Sequence, residues 1–353
     1  MISDPAELQP HTHWADTTWA HTPENSLVDH QRKTRLCPAT LLPFKDQKPD
    51  WAGFKNSIRW MLDSARDFDT EITFVLNADT GYIFQLDLAL YREVITRFRA
   101  AFPNTPIICG ITSTDGSYLP QLEIAQSFDS VEVMLMTSPE LESHDTESRR
   151  DAYFEILEHV RVPAIVHALE PAFVPWATPF SPWLLHELAN HPKVAGGKIS
   201  TLDEPHFLYW AAMTKDLDLP FSPHCGDDYG IATAIRCGLP LLIGAGVSAC
   251  PLICAAKHLW LEPNFDPRVY KLFEAIQSLE DTVFRLDPTG SAAAYKHSTA
   301  VCLQLLGIIA ADEIHPACPD RRPENEPDRM REALQRPLRI AERLNISRFD
   351  LTK

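Results

Sequence analysis

From residue 36 onward, the chain alternates short runs of β-branched and other apolar residues with longer stretches in which apolar positions recur every three or four residues. The first pattern suits a buried strand and the second an amphipathic helix, so the alternation predicts repeated βα units around a parallel sheet. Eight strands are predicted, at Leu36–Leu42, Glu71–Leu76, Pro106–Thr112, Ser130–Met136, Pro163–His167, Val194–Lys198, Leu219–His224 and Leu241–Ala245. Eight is the number that closes a (β/α)8 barrel. Between the strands, Asp50 is placed to cap a helix over Trp51–Ala65 and Asp87 one over Leu88–Phe102, while Ser181 followed by Pro182 opens one over Trp183–Ala189. A side-chain oxygen at the N-cap accepts from an otherwise unpaired helix N–H, and proline fits the first turn. An open doubly wound sheet is the competing architecture, but Gly244-Ala245-Gly246 lacks the third glycine of a dinucleotide loop and comes late in the chain.

Beyond Leu261 the strand pattern stops and helices follow, at Pro267–Phe284, Ser291–Ala311 and Pro327–Leu344. The expected organisation is an N-terminal extension over 1–34, a barrel over 35–262 and a C-terminal helical region over 263–353. The fold class is thus α/β, a TIM barrel with a C-terminal helical appendix packed on the barrel or on a neighbouring subunit.

Composition narrows the partners. A net charge of -16 opposes sequence-independent binding to nucleic acid or to anionic lipid, which need a basic face. No apolar run reaches the roughly 20 residues that span a bilayer, and Met1 to Leu36 carries neither a signal-like apolar core nor an arginine-rich amphipathic pattern, so the expected location is cytoplasmic. Eight scattered cysteines with no CxxC pair read as reduced, mostly buried thiols rather than a metal centre, and His11, His13 and His21 read as part of a solvated tail.

In such barrels the catalytic groups come from the carboxyl ends of different strands. Those ends are polar here: Asp79-Thr80-Gly81, Thr112-Ser113, Thr137-Ser138, His167, Lys198, and His224-Cys225-Gly226-Asp227-Asp228, with the small residues Gly244-Ala245-Gly246-Val247 after the eighth strand. Lys198, in Val194-Ala195-Gly196-Gly197-Lys198-Ile199-Ser200, ends the sixth. A lysine held in a pocket of low polarity loses part of its charge and becomes a nucleophile toward carbonyl carbon, with a Schiff base as the product.

In order and spacing these motifs resemble the dihydrodipicolinate synthase and N-acetylneuraminate lyase family of class I aldolases, over nearly everything after about residue 35. Ala39-Thr40-Leu41-Leu42-Pro43-Phe44 is similar to the family's opening strand, and Asn77-Ala78-Asp79-Thr80-Gly81-Tyr82 stands where its two-threonine loop stands. Gly197-Lys198 matches the Schiff-base strand, Cys225-Gly226-Asp227-Asp228 its Ser-Gly-Asp-Asp motif, and Gly244 to Pro251 its last strand and turn. Leu306-Gly307 and Pro316 to Pro319 are similar to its C-terminal segment.

The departures bear on chemistry. The first threonine of the carboxylate-binding loop is Asp79, and the fourth-strand pair of tyrosines is replaced by Thr137-Ser138-Pro139-Glu140. The fifth-strand catalytic tyrosine falls at His167, with one extra residue before Pro171. The resemblance implies a Schiff-base lyase or aldolase acting on a small 2-oxo acid or oxo-sugar acid, with no metal or organic cofactor, in a homo-oligomer, tetramer or dimer. Lys198 would be the nucleophile and His167 the proton carrier; Asp79, Thr80, Gly81, Ser138, Ser200, Gly246 and Val247 would meet the substrate. A sugar-acid dehydratase and a catalytically silent binding barrel are the alternatives. An ionised Asp79 would repel a substrate carboxylate and favour a hydroxyl or cationic group.

Overall fold

The structure is a computed structural model describing residues 35–113, 116–214 and 221–350; the predicted N-terminal extension, with His11, His13 and His21, lies outside the described residues. Eight parallel strands form the barrel: β1 (Leu36–Pro38), β2 (Phe74–Leu76), β3 (Ile107–Ile111), β4 (Val131–Leu135), β5 (Ala164–Leu169), β6 (Val194–Ser200), β7 (Ser222–Cys225) and β8 (Leu241–Ile243). Their spatial order runs β1-β8-β7-β6-β5-β4-β3-β2, and parallel bridges from Leu36 to Ile72 and from Ala39 to Val75 bring β1 back to β2. All eight predicted strands are present, mostly shortened; Leu219 and Pro220 of the seventh lie outside the described residues. β5 and β6 instead run past His167 and Lys198, which makes Ser200 a strand residue.

The helices between them are α1 (Trp51–Asp67), α2 (Leu88–Ala101), α3 (Leu119–Gln126), α4 (Thr146–Glu158), α5 (Pro182–Ala189), α6 (Glu204–Met213), α7 (Ile231–Cys237) and α8 (Cys250–Leu261). The predicted caps form: Asp50 accepts from Gly53 N, Asp87 from Leu90 N and Ser181 from Leu184 N. Beyond α8 lie α9 (Val269–Val283), α10 (Tyr295–Leu305) and α11 (Glu326–Arg343).

Two apolar cores follow from this wrapping. The larger lies between sheet and helices. A smaller one fills the barrel itself with Cys37, Val75, Ile108, Met134, Ile165 and Leu242 among others, so the barrel is packed and any site must sit at an end. The C-terminal helices join this body: α9 and α10 contribute Leu272, Leu279, Val301 and Leu303 to the larger core, and the Ala292 amide donates to the Ala172 carbonyl at 2.6 Å, tying the start of α10 to the loop after β5. No helix among the described residues is long and apolar enough to cross a membrane.

Candidate active site

The alternating pleat turns His167 and Lys198, register partners in β5 and β6, into the same end of the barrel. Lys198 needs room to do so. A Cβ at Gly226 would stand 2.6 Å from Lys198 Cε and 2.2 Å from the Ile199 carbonyl, so the Cys225-Gly226-Asp227-Asp228 motif keeps a glycine where the lysine stem passes. The amine reaches a narrow cavity of about 10 Å³ lined by Asp79, Thr80, His167, Ser200, Asp228 and Tyr295, with Leu169, Phe173, Gly244 and Phe284 as the remaining wall. That volume is about what one water occupies. The cavity is narrow because aromatic rings close it: Tyr295 stacks on Phe284 at 4.7 Å between centroids, and Phe173 meets both edge-on.

Burial is the largest influence on the Lys198 amine and pulls its pKa down; Asp228, Asp79 and Cys225 pull the other way, and the balance is about 8. Part of the population is therefore the free amine near neutral pH. His167 is fully buried, with Nε2 2.8 Å from Ser200 Oγ and Nδ1 2.9 Å from Met136 Sδ. A thioether offers no proton, so both contacts are hydrogen bonds only if Nδ1–H donates to Met136 and the Ser200 hydroxyl donates to Nε2. Burial, and then the Lys198 charge, hold the ring well below the usual histidine range. The sequence-based picture of a readily protonated His167 changes accordingly: the ring is a neutral acceptor behind Ser200.

Asp79, Thr80 and Gly81 form a 3-10 turn after β2. The amides of Gly81 and Tyr82 donate to Ala78 and Asp79 carbonyls within the turn, so the Gly81 amide is already engaged. Asp79 does not stand open to a substrate as its place in the sequence suggested. Its Oδ1 pairs with Lys296 Nζ at 2.9 Å and its Oδ2 accepts from the Tyr295 hydroxyl at 2.9 Å. Thr80 Oγ1 lies 2.9 Å from the same hydroxyl. With the Tyr295 proton directed to Asp79, Thr80 donates to the phenol oxygen. Burial, then the Asp79 charge, push the Tyr295 phenol well above its ordinary range and keep it protonated.

Three proposed substrate contacts stand elsewhere. Ser138 is the N-cap of the short helix Pro139–Glu142, where its hydroxyl accepts from Leu141 N at 3.3 Å. Gly246 packs on β1, where an added Cβ would stand 2.9 Å from Pro38 Cα, and Val247 is fully buried in the same turn, whereas Gly244 lines the cavity. At the end of β4, Thr137 donates to Glu142, which pairs with the buried Arg149, so Thr137 is tied into a structural ion pair. In the loop after β5, Trp176 meets Phe84 and Phe180 packs under Arg149 on Tyr153, while Phe173 lies on the cavity.

Tyr295, Lys296 and Asp228 complete the set of charged and hydroxyl groups. Asp228 belongs to a motif already singled out. Tyr295 and Lys296 sit in a segment read only as helix, although one signal marked it: Lys296 shares an i, i+4, i+7 stripe with Ala300 and Leu303, placing a lysine on an otherwise apolar face.

No protein-family model and no curated protein matches the sequence. Solved structures do match. The dihydrodipicolinate synthase of Bacteroides thetaiotaomicron is 18% identical with a TM-score of 0.72, over 86% of this chain and 98% of that one. That of Thermotoga maritima is 16% identical with a TM-score of 0.70, over 86% and 97%. A prophage protein of the dihydrodipicolinic acid synthase family from E. coli K12, solved in complex with pyruvate, is 14% identical with a TM-score of 0.70, over 86% and 97%. The chain therefore has the helix-appended (β/α)8 barrel fold of the dihydrodipicolinate synthases.

Proposed function

We propose that this protein is a class I lyase or aldolase that forms a Schiff base between Lys198 and a small 2-oxo acid or oxo-sugar acid. The observation that carries the reading is the buried Lys198 amine, lowered to about 8, at the end of a barrel strand and aimed into a cavity lined by hydroxyls and carboxylates. The pyruvate held by the similar prophage protein supports the substrate class.

In the first step the Lys198 Nζ lone pair forms a bond to the carbonyl carbon, and the carbonyl oxygen takes one proton from that nitrogen and one from solvent and leaves as water. The resulting iminium draws electrons from the adjacent carbon. The neutral His167 acts through Ser200, whose hydroxyl passes on the proton released when the iminium becomes an enamine. Thr80 and Tyr295 line the cavity, and a substrate oxygen accepts from the Thr80 hydroxyl by taking the place of the phenol oxygen as its acceptor. Lysine imine chemistry of this kind requires no metal or organic cofactor. The eight free thiols suit a reducing, cytoplasmic setting, and a homo-oligomer is what the family resemblance implies.

Borohydride trapping with a panel of 2-oxo acids and oxo-sugar acids, followed by peptide mass spectrometry, tests the reading. A mass gain on Lys198 is expected with at least one acid. No adduct with any of them would leave a silent barrel, and analysis of the products separates cleavage into two fragments from dehydration with the carbon chain intact.

A further inference from the structure

The two consecutive residues that α10 inserts into the barrel mouth have complementary effects on one side chain. Lys296, 4% exposed, forms a 2.9 Å ion pair with one oxygen of Asp79, while Tyr295 donates a hydrogen bond to the other. Asp79 is itself buried and lies on the same cavity as Lys198. A carboxylate there stabilises an ammonium on Lys198 and so opposes its use as a nucleophile, whereas a cation held against that carboxylate cancels much of its field. Hydrogen bonds alone do not cancel a charge. A full positive charge does, and Lys296 supplies it by pairing with Asp79 without itself lining the cavity.

The geometry points to Lys296 as a positioning residue that sets the nucleophilicity of Lys198: by neutralising Asp79, it lets the sixth-strand amine exist unprotonated near neutral pH. This rests on the Schiff-base reading for its use, though not for its electrostatics. The groups around Lys198 are few enough to specify. They are His167 of β5, His224 and Cys225 of β7, Asp228 after β7, and Asp79 with Tyr295 at the mouth. His167 and His224 are both held far down, mainly by burial, and are uncharged; Tyr295 and Cys225 are both pushed well up, mainly by burial, and are uncharged too. Behind Asp228, Glu280 of α9 is raised well above its ordinary range by burial and then by Asp228, and so adds no charge. Among the described residues, the carboxylates that act on Lys198 are Asp228 and Asp79, the latter paired with Lys296. Removing Lys296 leaves two carboxylates facing one amine.

Competitive acetylation with trace acetic anhydride, read by peptide mass spectrometry across pH, gives the titration midpoint of Lys198 without any substrate. In full-length protein, Lys296→Met is expected to raise that midpoint by about one pH unit or more, which is about a tenfold loss of free amine at a fixed pH below it. Asp79→Asn/Lys296→Met is expected to bring it back to the parent value or below, and also guards against a single variant that folds poorly. An unchanged midpoint in Lys296→Met, a raised one that persists in the double variant, or a Lys198 that is unreactive at every pH would each overturn the proposal. The two readings fail separately: a shifted midpoint with no borohydride adduct from any oxo acid keeps the tuning and removes the Schiff base.

Discussion

The barrel carries a polar cluster at each end, and the two treat a buried cation in opposite ways. At the amino-terminal end, Arg35 reaches across to Glu132 with both guanidinium nitrogens and lies 3.3 Å from His224 Nε2. Burial pulls the Arg35 charge down, but the hydrogen bond and charge of Glu132 outweigh it and leave the guanidinium more firmly protonated than usual. At the carboxyl end, burial outweighs Asp228 and Asp79, and Lys198 is left near 8. Arg35 is matched fork to fork by its own carboxylate, whereas one of the two carboxylates that act on Lys198, Asp79, is already paired with Lys296. A charge with its own partner is an element of structure, and one whose partner is engaged elsewhere is left reactive.

The largest test exchanges the two ends. Lys198→Ala is expected to abolish the borohydride adduct and to lower turnover by on the order of 10⁴-fold or more with the fold intact, as for removal of a nucleophile. Arg35→Met is expected to lower stability by about 1–3 kcal/mol, because it strands Glu132 in a partly exposed site, and to leave trapping unchanged. Trapping lost equally in both variants would erase the distinction.

A smaller effect follows from the sign of the Lys198 shift. Because its pKa in the folded chain lies below the ordinary value of 10.5, the unfolded state binds the extra proton between about pH 8 and 10.5, so this group makes stability rise with pH across that window. Below about pH 8 its full unfavourable contribution is present. Lys198→Met should therefore be more stable than the parent at pH 7 by about 1–3 kcal/mol, seen as a higher denaturant midpoint. The initial rate of imine trapping should likewise climb through about pH 8 in the parent. A lower midpoint in Lys198→Met would put the amine among the paired, structural charges.

Tyr295→Phe keeps the stack on Phe284 but removes the donor to Asp79, and about 1–2 kcal/mol of stability together with a several-fold slower trapping is expected. Least affected should be Ser138→Ala: loss of one cap costs about 1 kcal/mol, with trapping at the parent rate. A trapping defect there would return Ser138 to the substrate.

The barrel was legible because its determinants are local. Strand runs such as Ile107–Ile111 and caps such as Asp50 and Ser181 act within a few residues, and alternation alone implied eight units. Lys198 and His167 were legible for the same reason, as polar residues closing apolar runs. What the sequence did not reveal is set by contacts across the chain: Asp79 is read as an open carboxylate until Lys296, more than two hundred residues later, is seen against it. Ser138 is read as a strand-end hydroxyl, and only the helix Pro139–Glu142 explains its use as a cap. Gly246 and Val247 come just after the short strand β8, and the turn they enter faces β1 rather than the cavity.

The hydrogen bond from Tyr295 to Asp79 spans 216 positions of sequence. At translation rates of about 5–20 residues per second, roughly 10–40 s separate the synthesis of its two ends. Strands β3 to β8 are all made in that interval, with Asp79 uncompensated and the mouth without the Tyr295 ring. The reactive amine is thus assembled by one of the last segments to emerge, and a chain interrupted before residue 295 can carry a complete barrel without a finished site.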